Sequence, residues 1–107
     1  MIITGGENVY SVEVERVIGE HPGVREVAVI GIPSDRWGEE VAAIVVLKDG
    51  VDSSQNDLIA FCEGRVANYK KPKQIIFHEG ELPKTGPGKV AKAKLRAAYW
   101  ASRGSNI

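Results

Sequence analysis

The order of periodic segments predicts a small α+β domain, a sheet of about three strands with helices packed on it. Three observations carry this. β-Branched, half-alternating runs stand at "VREVAVIGIP" (24–33) and "EEVAAIVVLKDG" (39–50). Apolar residues recur at helical spacing twice, as Val14, Val17 and Ile18, then as Leu58, Ile59, Cys62, Val66 and Tyr69. The segments follow one another as β-α-β-β-α-β-α, and nothing in them reads as a doubly wound sheet.

Residues 2–10, "IITGGENVY", begin as a short strand and break at Gly5-Gly6, a turn signal. Ser11 stands where an N-cap belongs, and Glu13 and Glu15 fall in the first turn, near the positive end of the helix dipole. Pro22-Gly23 stops this helix. The strand over 24–33 ends at Pro33, and a polar loop holding Trp37-Gly38-Glu39 leads into the strand over 39–50, closed by Asp49-Gly50. Ser54 and Asp57 have capping-box spacing and open the second helical stripe, which Pro72 ends. "QIIFH" (74–78) reads as a further strand. Residues 90–102 read as a basic helix with Val90, Leu95 and Tyr99 on or near one side, and the tail "SRGSNI" is expected to fray.

A chain of 107 residues, 43% apolar, suits one domain with a modest core. The single cysteine, Cys62, excludes an internal disulfide and fits a reducing compartment; on its apolar stripe it reads as inert core. No apolar run approaches membrane-spanning length and no charged-then-apolar leader opens the chain, so a soluble, cytoplasmic protein is expected. His21 and His78 lack ligand spacing, which argues against a metal site. The zero net charge hides an asymmetry. Residues 1–64 carry four Lys and Arg against twelve Asp and Glu, whereas residues 65–107 carry ten against two. Either the C-terminal part meets an anionic partner, or two opposite faces attract each other. Nucleic acid is a poor partner, because aromatics interleave the basic residues only at Tyr69, Tyr99 and Trp100.

Four motifs could carry chemistry. "LPKTGPGKV" (82–90) sets Lys89 after three consecutive turn-formers, Gly86, Pro87 and Gly88. It is not a Walker phosphate loop, because Pro83 stands where a glycine is needed and Val90 where Ser or Thr is needed. Glycines permit close backbone approach, and a lysine at the tip offers a compact charge with three donors to phosphate or carboxylate oxygens. The same residues also describe a solvated turn. In "TGGENVYSVEVE" the paired glycines before a helix either let an extended ligand pass or form a plain strand-to-helix turn. Trp37 in "RWGEE" either stacks on a ring or closes a core edge. "NYKKPK" (68–73) suits a phosphate-bearing nucleotide, or a helix C-terminus that favours cations.

Together, and in this order, the motifs resemble the C-terminal domain of acyl-CoA synthetases, within the adenylate-forming, AMP-binding enzyme superfamily. The resemblance covers residues 2–96 and rests on "MIITGGENVYSVEVE", "HPGVREVAVIGIPSDRWGE", "ANYKKPK" and "LPKTGPGKVAKAKLR". The "GGEN" form points to the acyl-CoA synthetases within the superfamily. The resemblance implies that residues 1–107 are one swinging C-terminal domain of a longer enzyme. Residues 1–10 would be the glycine-turn segment after the hinge and 82–90 the catalytic-lysine loop, while the ATP and acyl pockets would lie in an N-terminal domain outside this chain. It implies an ATP-dependent acid–CoA ligase for a fatty or other carboxylic acid, inactive as this chain alone. ATP and CoA would be its substrates, with Mg2+ arriving with ATP and not held by this domain. Lys89 would be catalytic. Gly6 would let pantetheine pass, with Gly5 beside it in the cofactor-binding turn, and Trp37, Tyr69 and Lys71 would contact the CoA nucleotide. Two departures from the family pattern stand out: Ser11 where Pro is usual, and Pro87 where Thr, Ser or Ala is commoner, which stiffens the loop. The other reading is a free-standing module that binds CoA, a nucleotide or an acidic protein.

Overall fold

Alternation along two long strands divides the apolar residues between two cores. The computed structural model describes residues 1–87 and 89–104; Gly88 of the glycine loop and residues 105–107 of the tail lie outside the described residues. In chain order the elements are β1 (Ile2–Thr4), β2 (Glu7–Val9), α1 (Ser11–Gly19), β3 (Val24–Ser34), β4 (Gly38–Leu47), α2 (Gln55–Cys62), a 3-10 turn at Asn68–Lys70, β5 (Gln74–Phe77), β6 (Lys84–Gly86), β7 (Lys89–Val90) and α3 (Lys92–Gly104). β3 and β4 pair antiparallel from Val24↔Leu47 to Ser34↔Gly38. Side chains on a strand alternate between faces. Val29, Val41, Ala43, Val45 and Ile75 therefore meet Val14, Val17 and Ile18 of α1 and Leu58 and Cys62 of α2. Ala28, Ile30, Ile32, Ala42, Ile44 and Val46 face the other way, with Leu82, Val90, and Leu95 and Tyr99 of α3. The result is three layers, with helices on both faces of one sheet.

The α+β class holds, but the sheet has five strands rather than about three. β5 runs parallel to β4, Ala42↔Gln74 to Val45↔Phe77, and β1 pairs the start of β4 at Thr4↔Gly38. The additional strand is β2. "TGGE" is a β-hairpin, Thr4↔Glu7, not the expected strand-to-helix turn. Gly5 and Gly6 have φ of 57° and 84°. Two successive positive φ values match the twist of paired strands, as in a type I′ loop.

Three helix expectations need correction. Ser11 is the first residue of α1 rather than its cap; Tyr10 takes the cap position without a side-chain hydrogen bond. The expected stripe from Leu58 to Tyr69 breaks early, and α2 ends at Cys62. Gly64, at φ 76°, turns the chain away, so Val66 lies beyond the helix and Tyr69 belongs to the 3-10 turn. The C-terminal helix starts at Lys92, because Val90 is taken by β7, and its backbone continues to Gly104 through the start of the tail expected to fray. The capping box forms as read: Ser54 Oγ accepts from Asp57 N at 3.1 Å, and Asp57 Oδ2 accepts from Ser54 N at 3.2 Å. Cys62 is fully buried, and burial pushes its thiol pKa up, away from the reactive thiolate.

β3 is an edge strand, and side chains cover its unpaired backbone groups. Val29 N donates to Glu15 Oε2 at 2.8 Å, and Gly31 O accepts from Trp100 Nε1 at 2.8 Å. The charge asymmetry is largely internal. Glu13–Lys70, Glu63–Lys71, Glu26–Lys84, Glu15–Lys92 and Glu39–Arg96 each join a carboxylate of the first 64 residues to a cation of the rest. No helix among the described residues is long and apolar enough to cross a membrane.

Candidate functional site

Lys84–Gly86 and Lys89–Val90, on either side of the turn-formers, form a small antiparallel ribbon. Lys84 pairs with Val90 and Gly86 with Lys89, with an irregularity between, and Ala91 N closes the base on Pro83 O at 2.7 Å. Lys89 is exposed on β7. Lys84 is paired to Glu26, and Lys92 Nζ lies 2.5 Å from Glu15 Oε2. Among the described residues Lys89 makes no ion pair. It lines an open cleft of about 580 Å³ together with Glu15, Val27, Thr85, Val90 and Lys92. An ammonium not paired to a carboxylate among the described residues is available to an anion brought from outside. The Glu26 carboxyl is held below the usual carboxylate range, first by its hydrogen bond from Lys84, while burial acts the other way.

A second cleft, of about 110 Å³, is lined by Thr4, Gly5, Glu7, Trp37, Tyr69 and Lys73. Three elements build it: the β1–β2 hairpin, the turn before β4 and the 3-10 turn. Gly5 N donates to Trp37 O at 2.9 Å, and Trp37 N donates to Ser34 Oγ at 3.1 Å, which seats the indole against the hairpin. The Arg36 guanidinium lies 4.7 Å and Lys73 Nζ 5.7 Å from the centroid of the Trp37 ring. Trp37 and Tyr69 remain 37% and 40% exposed, so an aromatic ligand can reach both. An aromatic platform with two adjacent cations suits a base carrying phosphate.

Of the residues singled out from sequence, Gly5, Trp37 and Tyr69 come together here. Lys71 does not line the cleft; its Nζ pairs with Glu63 at 3.2 Å. Gly6 forms the hairpin tip beside it, and a Cβ there would meet nothing within 4 Å. Lys89 lies on the other cleft, and the two share no lining residue. The sequence reading missed Arg36 and Lys73. "NYKKPK" offered three equivalent lysines, and only the fold sends Lys70 to Glu13, Lys71 to Glu63 and Lys73 to Trp37.

A Cβ built on Gly5 would sit 2.9 Å from Trp37 Cε3, on a backbone already at positive φ. Gly5→Ala is therefore expected to destabilise the domain by about 1–3 kcal/mol. Gly6→Ala should cost less, because its strain is in the backbone alone. Denaturant unfolding of the two variants side by side checks this order.

Among the described residues no three His, Cys, Asp or Glu side chains gather as a metal would require.

Residues 13–89, which hold Trp37, Tyr69 and Lys89, match the model of one family, the AMP-binding enzyme C-terminal domain. The chain belongs to that family. It is 48% identical over 102 residues to the long-chain-fatty-acid–CoA ligase FadD13 of Mycobacterium tuberculosis, covering 95% of this chain and 20% of that protein. It is 49% identical over 99 residues to a 2-succinylbenzoate–CoA ligase of Listeria monocytogenes, covering 92% of this chain and 21% of that protein. Among solved structures, a Mycobacterium tuberculosis fatty acyl CoA synthetase superposes with a TM-score of 0.86 at 49% identity, over 95% of this chain and 20% of that one. The chain thus spans about a fifth of the length of these relatives.

Proposed function

We propose that the chain works as the C-terminal domain of an ATP-dependent acid–CoA ligase, with an N-terminal domain of the same enzyme supplying the ATP and acyl pockets. In the first half-reaction a carboxylate attacks the α-phosphate of ATP, giving acyl-adenylate and pyrophosphate. In the second the CoA thiol displaces AMP to give the thioester. The observation that carries this reading is Lys89, an exposed ammonium without an ion pair among the described residues, between two lysines that are paired. Presented to the N-terminal pocket, it stabilises negative charge developing on the α-phosphate and the attacking carboxylate. Mg2+ would accompany ATP and be held outside this domain.

The second cleft serves the second half-reaction. Trp37 and Tyr69 take the CoA base, with Lys73 beside them; Lys71 contributes once it leaves Glu63. Gly6 leaves pantetheine an open path past the hairpin tip, and Gly5 admits the Trp37 ring beside it. The absence of a shared lining residue fits two poses of one domain, each presenting a different cleft. The acid is a fatty or other carboxylic acid. A long-chain-fatty-acid ligase and a 2-succinylbenzoate ligase match this chain equally well, so the choice of acid belongs to the N-terminal domain.

Calorimetric titration with CoA tests the reading. The full-length enzyme carrying bound acyl-adenylate analogue should bind CoA saturably, and the 107-residue chain should bind it weakly or not at all. Tight saturable binding by the chain alone would favour the free-standing binding module instead.

A further inference from the structure

We propose that Glu15 and Glu26 are positioning residues for Lys89: each grips the lysine on one side of it, and together they fix the ribbon from which Lys89 acts. This rests on the reading of Lys89 as the charge that promotes adenylation. Glu26, on β3, pairs with Lys84 through Oε1, and its Oε2 accepts from Leu82 N at 3.4 Å. Lys84 Nζ also donates to Leu82 O at 3.2 Å. Glu15, on α1, pairs with Lys92 and accepts from Val29 N of the β3 edge at 2.8 Å through the same oxygen. Lys92 Nζ further donates to Ser11 Oγ at 3.1 Å. One clamp therefore holds the first residue of β6, and the other holds the first residue of α3, just after β7.

Both carboxylates are well seated, each with a side-chain exposure of 19%, on elements locked into the first core by Val14, Val17 and Val29. The ribbon is less firmly anchored, although Val90 packs against the second core. β6 is three residues long and wholly exposed, and β7 is two. Two such strands do not hold a fixed position by themselves. Pairs of this kind contribute little to global stability, roughly 0–1 kcal/mol at exposed sites. Their effect on a reacting geometry is larger, because a displacement of about 1 Å can cost about 10²-fold in rate. The clamps are thus expected to matter more to the first half-reaction than to folding.

The test uses the full-length enzyme with four variants: Glu15→Gln/Glu26→Gln, Lys84→Glu alone, the charge-swapped pair Glu26→Lys/Lys84→Glu, and Lys89→Ala. Three quantities are read: kcat and KM for ATP in pyrophosphate release, thioester formation from supplied acyl-adenylate, and the unfolding midpoint. The double Gln variant should lose about 10–10²-fold in kcat for adenylation, with KM for ATP, thioester formation and the midpoint nearly unchanged. The charge-swapped pair should recover most of the loss seen with Lys84→Glu alone. Adenylation intact in the double Gln variant, while Lys89→Ala abolishes it, overturns the inference. Equal loss of both half-reactions, or a lowered midpoint that accounts for the loss, reduces the carboxylates to structural props and also overturns it. Adenylation intact in Lys89→Ala instead removes the role of Lys89, and the inference falls with it.

Discussion

Lys89→Ala, introduced into the full-length enzyme, is expected to lower acyl-adenylate formation by about 10²–10³-fold or more. Thioester formation from supplied acyl-adenylate should be spared. The asymmetry follows from where the charge is needed. The first half-reaction builds negative charge at the α-phosphate as the carboxylate attacks, and an ammonium held there without prior commitment to a carboxylate stabilises it. In the proposed function the second half-reaction would engage the other cleft, which shares no lining residue with the first. Pyrophosphate release and single-turnover thioester formation measured on the same preparation separate the two. Equal loss in both would remove Lys89 from its proposed role. Lys89→Arg keeps the charge but not the compact geometry of an ammonium, so it should restore adenylation only in part.

The second large effect concerns the fold. Ile44, on the central strand, is 1% exposed and faces the core beneath α3. Ile44→Ala should cost about 2–5 kcal/mol, against a total stability of about 5–15 kcal/mol for a domain. Ile44→Val should cost only about 0.5–1.5 kcal/mol. Ile3, 49% exposed on β1, supplies the contrast: Ile3→Ala should stay within about 0.5 kcal/mol. Urea midpoints of the three variants decide the matter. If Ile44→Ala behaved like Ile3→Ala, α3 would not be packed on the sheet and the domain would have one core instead of two.

What the sequence disclosed was what local chemistry decides. The Ser54–Asp57 box is set by a spacing of three residues and appears as read. β3 and β4 announce themselves because long β-branched runs leave few alternatives. Three features were hidden because apolar periodicity does not govern them. β2 is three residues long, and only Val9 of it is buried, so no alternation marks it. The ribbon strands β6 and β7 are polar and almost wholly exposed. The overlong second helix came from trusting spacing across Gly64: Val66 and Tyr69 keep the helical interval from Cys62, but a residue at positive φ stands between.

The site divides in the same way. Lys89, Gly5, Trp37 and Tyr69 were legible because their motifs are contiguous. The separate fates of Lys70, Lys71 and Lys73 were not, since each depends on a partner that only the folded chain brings up: Glu13 for Lys70, Glu63 across the turn at Gly64 for Lys71, and Trp37 for Lys73.

The pairing of early carboxylates with late cations also gives the domain an order in time. As a ribosome extends this chain, its first 64 residues emerge with three times as many acids as bases. That stretch already holds β3, β4 and the helices of the first core, yet its own repulsion opposes closure. The neutralising residues arrive last, in the 3-10 turn, the ribbon and α3. Closure of this unit thereby waits on residues made after its two long strands, and the segment carrying Lys89 then shuts over the edge of the sheet like an electrostatic latch.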